Sequence, residues 1–229
     1  MAIDSTEEEQ LESLKRWWSD NGNSMLFGVV LVLAIVFGMR QWQASQADTA
    51  GAASDLYQQI SEMAVANVAK TISDDDLLAA QAVYSQLKEQ YASSIYTRYA
   101  ALAMAKFNAE KNQLDAAATE LQWIIDNPDL GLMQKADQEL FLVARQRLAR
   151  IKLAQGNAQG ALELLRGVDA GSFTTTFAET EGDALLQMGD REGAKAAYQK
   201  ALNAITDGNP AILRLKLQDL GVSALEAQQ

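Results

Sequence analysis

Between Met25 and Met39 the chain reads MLFGVVLVLAIVFGM, 15 residues without a charged or polar side chain. No later stretch is as apolar. Fifteen helical residues rise about 22 Å, short of a hydrocarbon core of about 30 Å. The flanks extend the reach, since residues 22–43 would make about 33 Å of helix. Arg40 can snorkel its guanidinium to the head groups, and Trp17, Trp18 and Trp42 bracket the run as interfacial aromatics do. The pattern predicts a single transmembrane helix over 24–43, preceded by an acidic segment, 1–23, and followed by a polar body, 44–229. Two alternatives stay open. The run also has the length of a signal-peptide core, with Ser45-Gln46-Ala47 as a loose cleavage site, and short apolar runs are often buried core helices. Glu7, Glu8, Glu9 and Glu12 make the head unlike a basic signal-peptide leader.

The head carries Leu11, Leu14, Trp17 and Trp18 at helical spacing. This predicts a short amphipathic helix at the membrane surface, ending around Asn21-Gly22-Asn23, with a disordered leader as the alternative. Lys15 and Arg16 lie before the span, and Arg40 alone lies close behind it. By the positive-inside rule the N-terminus is expected in the cytoplasm and the body outside, in a bacterium the periplasm. Within the span, Ser24 with Gly28 and Ala34 with Gly38 form small-xxx-small pairs that let another helix approach.

The body reads as helix throughout. Ala53, Leu56, Tyr57, Ile60 and Ala64 share one face of a first helix, which can run on from the span. Ser73-Asp74-Asp75-Asp76 opens the next, with a side-chain cap and three carboxylates at the positive end of the dipole. A calcium loop is the alternative for that triplet, but its spacing lacks the alternating ligands and Gly. That helix is expected to end near Tyr91, and Ser93-Ser94 to start another. Then a pattern recurs: Ala105, Asn112, Ala117; Ala149, Gly156, Ala161; Gly182, Gly189, Ala194. A small residue is followed seven later by Asn or Gly and five later again by Ala. The last two copies are offset by 33 residues and the first two by 44, which places an insertion around Asn127-Pro128-Asp129-Leu130-Gly131.

Each copy predicts a helical hairpin. The small residue allows close approach, Asn or Gly ends the first helix in a left-handed conformation, and the Ala lies where the second helix crosses. Leu121, Leu165 and Tyr198 follow to fill the next layer. Tyr96, Tyr99, Ala103 and Phe107 are expected inward on one helix; Leu114, Ala117, Ala118, Leu121, Ile124 and Ile125 on the next. The spacing resembles tetratricopeptide repeats, whose period is about 34. A generic antiparallel helical array is the alternative. Asn209-Pro210 starts a final helix with Leu213, Leu217 and Leu220 inward and Arg214, Lys216 and Asp219 as a polar outer face.

Composition narrows function. The chain of 229 residues has no Cys and no His, which removes thiol and imidazole catalysis and Cys/His zinc sites. No nucleophile elbow, phosphate loop or metal constellation is present, so the expectation is no enzyme, no cofactor and no metal site. A net charge of −11 argues against nucleic acid. Arg145, Arg147, Arg150 and Lys152 form the densest basic cluster on this acidic body. They are candidate partner-binding residues, for an acidic partner or lipid head groups, and a solvated helix face is the alternative.

The order of features is familiar: Lys15-Arg16-Trp17-Trp18, Asn21-Gly22, a short span closed by Arg40 and Trp42, then an Ala-rich repeat body. With the Tyr96–Leu121 hairpin YTRYAALAMAKFNAEKNQLDAAATEL, and Leu148–Leu165 and Glu181–Leu202, this resembles the bacterial YfgM family over nearly the full length. The resemblance implies an all-α, single-span inner-membrane protein with a periplasmic tetratricopeptide-like body. It further implies an ancillary subunit of the SecYEG translocon, partnered by a PpiD-type periplasmic chaperone and passing unfolded secretory clients onward, with a link to envelope stress. It implies no catalytic residues.

Overall fold

The structure, a computed structural model, describes residues 4–66, 70–128, 134–206 and 209–222. Among them every regular element is helical: α1 Asp4–Ala66, α2 Asp74–Gln90, α3 Ile95–Glu110, α4 Leu114–Asp126, α5 Gln134–Ala154, α6 Ala158–Leu165, α7 Thr174–Gln187, α8 Arg191–Asn203 and α9 Ala211–Asp219, with a short 3-10 turn at Gly171–Phe173. The chain divides into two compact units, Met1–Ala52 and Ala53–Gln229.

In the first unit α1 does not stop at Asn21-Gly22-Asn23 as the sequence reading expects. Asn and Gly disfavour helix by at most about 1 kcal/mol each, too little to interrupt a long apolar continuation. Asn21 is also held, its Nδ2 donating to the Trp17 carbonyl at 3.1 Å. The apolar run stands open, with Phe27 and Phe37 each 77% exposed. That exposure speaks against the core-helix alternative: among the described residues of this unit these side chains are not buried. It is the one helix among the described residues long and apolar enough to cross a membrane.

The second unit begins with the end of α1, where Ala53 and Ile60 are fully buried. Ser73 caps α2 as the spacing predicts, its Oγ accepting from Asp76 N–H at 3.0 Å, and Ser94 caps α3. Each later helix packs on its predecessor, and α5 also touches α3 and α7. This is the topology of stacked hairpins, α3–α4, α5–α6 and α7–α8, followed by α9.

The repeat positions do what their residue types require. Asn112, Gly156 and Gly189 have φ of 59°, 78° and 84°. At each, two backbone hydrogen bonds close the helix end: Gln113, Asn157 and Asp190 N–H groups donate to Asn108, Lys152 and Leu185 carbonyls at 2.8, 2.8 and 2.9 Å. This is the Schellman arrangement, which satisfies carbonyls the helix leaves unpaired. The chain then re-enters helix at once. Asn157 and Asp190 side chains accept from Gly160 and Gly193 N–H groups at 2.9 Å each. Ala105, Ala149 and Ala117, Ala161, Ala194 are all buried where the paired helices cross. Gly221, at φ 87°, closes α9 the same way, a fourth copy the sequence reading does not include. Seven residues before it stands Arg214, exposed, instead of a small buried residue.

Two buried clusters fill the unit. One gathers α1 to α5 around Phe107, Leu121 and Leu148; the other gathers α5 to α9 around Leu162, Tyr198 and Leu217. Helix α5 serves both, with Leu140, Ala144 and Leu148 in the first and Leu142 and Ala149 in the second.

Some inward faces differ from expectation. On α3 the buried set is Thr97, Arg98, Ala100, Ala101, Met104, Ala105, Phe107 and Asn108. Tyr96 and Tyr99 are half-buried instead, because they meet Tyr57 of α1, ring centroids 6.0 and 5.8 Å away. The part of the expected insertion at Asp129-Leu130-Gly131 lies outside the described residues. Pro210 stands at the cap of α9 rather than at its first helical position, and Asn209 Oδ1 accepts from Ala211 N–H at 3.0 Å.

Candidate functional site

The basic cluster of α5 does not lie on one face. At 3.6 residues per turn, Arg145 and Lys152 fall on one side of the helix, and Arg147 and Arg150 on nearly the opposite side. Arg145 is turned into the fold: its Nη1 donates to the Leu164 carbonyl of α6 at 3.3 Å, and its guanidinium lies 4.7 Å from the Phe141 ring centroid. Its Nε is buried with no hydrogen-bond partner. Lys152 is half-buried on that same side.

Arg147 and Arg150 are exposed and face α3 instead. With Ile151 they form one wall of a pocket of about 280 Å³; Ala105, Lys106 and Ala109 of α3 form the other, and Leu121 of α4 the floor. The pocket is thus apolar inside and cationic at its rim. Loss of solvent around Arg147, and then the charge of Arg150, lower the Arg147 pKa below the ordinary guanidinium value.

The line of charge continues. Arg150 Nη2 lies 3.9 Å from Glu179 of α7, and Lys216 of α9 lies 2.8 Å from Glu179 and 2.7 Å from Asp183. The spacing of Lys216 predicts the outer face. It turns inward because Leu213 and Leu217 fix the rotation of α9 and leave Lys216 over the Tyr198 ring, 5.2 Å from its centroid. Tyr198 Oη donates to Asp183 Oδ1 at 2.7 Å.

Lys106, Glu179, Asp183 and Lys216 are the residues that reading the local cluster misses. For Lys106 and Asp183 the signal is the repeat register: like Arg150, each directly follows the small residue of its hairpin, so the three share one edge of the stack, whereas Glu179 and Lys216 carry no such mark. A second pocket, about 540 Å³, is bordered by Tyr84, Lys88, Asn108 and Glu120. There Tyr84 Oη donates to Glu120, and Lys88 lies 3.6 Å from the same carboxylate. The Asp74–Asp76 triplet serves the α2 cap, and Asp74 pairs with Lys111.

In the first unit, Gly28 and Gly38 have open space where a side chain would stand. Met25, Gly28, Val29, Val32 and Leu33 border a shallow apolar notch of about 390 Å³. The Ser24/Gly28 and Ala34/Gly38 pairs lie about 80° apart around the helix, on neighbouring faces.

A family model described as a tetratricopeptide repeat-like domain matches residues 15–222. The protein named "Ancillary SecYEG translocon subunit" of Escherichia coli (strain K12) is 30% identical over 226 residues, covering 97% of this chain and all of that one. The chain belongs to the YfgM family. Relatives of the same printed name in Haemophilus influenzae and Neisseria gonorrhoeae are 27% and 25% identical, each covering 96% of this chain and all of theirs. No solved structure matches the chain. The YfgM family membership shows the all-α repeat architecture and displaces the generic-array alternative.

Proposed function

We propose that the protein is a non-catalytic, membrane-anchored scaffold of the SecYEG translocon. Residues 1–23 lie in the cytoplasm, 24–43 cross the inner membrane, and 44–229 form a periplasmic hairpin array. The array receives secretory polypeptides as they emerge and links them to periplasmic chaperones, including a PpiD-type partner. The observation that carries this is end-to-end similarity to proteins named as ancillary SecYEG subunits. The exposed apolar helix supplies the anchor, and stacked hairpins supply a face for a partner segment. Lys15 and Arg16 against Arg40 support the orientation.

The test is purification of the full-length protein from membranes in mild detergent, with its companions identified by mass spectrometry. Translocon subunits together with a periplasmic chaperone are expected. An intact, membrane-bound protein that brings neither would overturn the proposal. A reporter fused after Gln229 that is active only in the cytoplasm would overturn the orientation.

A second reading, a structural subunit of another inner-membrane complex acting mainly through its span, is favoured by the open notch at Gly28. Gly28→Leu with Gly38→Leu fills that space without a clash inside the helix. Loss of co-purification in this variant supports the second reading; retention, with loss on deleting residues 95–229, supports the first.

A further inference from the structure

Resting on the scaffold reading, we propose that the groove between α3 and α5 is a binding site for acidic, extended polypeptide segments, with Arg147 and Arg150 receiving a carboxylate and the half-buried Ala109 and Ile151 receiving its apolar neighbours.

Charge complementarity argues it first. The protein carries a net charge of −11, yet this groove gathers three cations from two helices. Arg147 has no ion-pair partner among the described residues. Arg150 has only Glu179 at 3.9 Å, and Lys216 holds that carboxylate more closely, at 2.8 Å. Lys106 has a solvent-exposed neighbour on its own helix, Glu110 at 3.4 Å. Two guanidiniums one helical turn apart, each a fork of donors, suit a carboxylate better than they suit each other. Loss of solvent first, and then the Arg150 charge, hold the Arg147 pKa below its ordinary value, and an anion between the two guanidiniums would offset the second of these.

The pocket, at about 280 Å³, lies at the small end of ligand sites, which run about 300–1,000 Å³. It has room for a side chain or two of something longer. The walls are small and apolar between the cations, so the backbone of a passing segment can lie close. A lipid head group would meet the cations but leave these apolar walls without a partner.

The test uses the full-length chain in nanodiscs of neutral phosphatidylcholine and fluorescein-labelled peptides of alanine and leucine with two central Glu, Gln or Lys residues. Fluorescence anisotropy should show the Glu peptide binding about tenfold more tightly than the Gln peptide. The double variant Arg147→Gln, Arg150→Gln should lose that preference, and Arg145→Gln should keep it. Lys106→Gln, an exposed single change that leaves the core intact, should lose part of it, which separates the effect from unfolding. Equal binding of Glu and Gln peptides, or an unchanged preference in the double variant, overturns the inference. So does displacement of the peptide by phosphatidylglycerol vesicles. The same preparations are scored for translocon co-purification. Peptide-blind protein that still brings the translocon down sinks the groove alone, whereas selective peptide binding without the translocon sinks the scaffold reading and leaves the groove standing.

Discussion

The ring of Tyr198 occupies the space that any side chain at position 182 would need. A methyl group on Gly182 would come within 2.5 Å of Tyr198 Cδ1. Tyr198 is fully buried at the crossing of α7 and α8, so it cannot swing away without opening the core. Gly182→Ala should therefore cost about 1–3 kcal/mol of overpacking, despite the better helix propensity of Ala. Urea unfolding of the second unit followed by circular dichroism reads it. Adding Tyr198→Leu should remove most of the additional loss, since the colliding ring is gone; no loss in Gly182→Ala refutes the close packing.

The three turn residues separate by type. Gly156→Ala and Gly189→Ala place a Cβ in the left-handed region and should each lose about 1–2 kcal/mol. Asn112 already tolerates that region at φ 59°, so Asn112→Gly should stay within about 0.5 kcal/mol of the parent. Melting temperatures of the three variants, ranked together, check this order.

How much of this was legible beforehand depends on the residue. The left-handed turns, the caps at Ser73 and Ser94 and the buried Ala positions follow from local chemistry, and local chemistry is written in the sequence. Residues whose role is set by rotation of one helix against another were harder. Lys216 has the spacing of an outer-face residue, yet two leucines turn it toward α7. Arg145 and Arg147 are two apart in sequence and end on different sides of α5 because a helix separates such positions by about 200°. Lys106, more than forty residues from Arg147, enters the groove only through the stacking of hairpins. Asn21-Gly22-Asn23 looks like a terminus and is crossed by continuous helix, since propensity is weaker than an uninterrupted hydrogen-bond ladder.

Two buried phenols give the protein an alkaline limit. Burial first, and then the hydrogen-bonded carboxylate, raise the pKa of Tyr84 beside Glu120 and of Tyr198 beside Asp183 far above the ordinary tyrosine value. A folded pKa above the unfolded one means that the folded state holds its proton longer. The contribution is complete below the unfolded value of about 10 and is lost as pH rises from there toward the folded value. Stability should fall on going from pH 9 to about pH 11. Tyr84→Phe and Tyr198→Phe should each flatten that fall, measured against the parent because Lys88 and Lys216 are common to both. An unchanged slope in both variants would count against buried, protonated phenols.

Lys216 joins the last helix to its neighbour. Its side chain is 27% exposed, between Glu179 at 20% and Asp183 at 35%, so the pairs are screened by water only in part. Lys216→Met keeps the apolar stem over Tyr198 and removes the charge. It should destabilise the protein by about 1–2 kcal/mol by leaving two carboxylates close together. A double-mutant cycle with Glu179→Gln should show a coupling of about 0.5–2 kcal/mol, and a coupling near zero would refute the link.

Helix α5 lends side chains to both buried clusters, and that makes it a party wall. Leu148 and Ala149 are adjacent in sequence, yet one belongs to each side. Neither half has a finished boundary of its own without this helix. The last hairpin and α9 can detach and reseat while the wall stays in place, as the end units of a linear array do. Damage to the wall itself exposes two cores in one event. Substitutions along α5 should thus cost more than their individual contacts indicate, and amide exchange should show α8 opening at a lower free energy than α5.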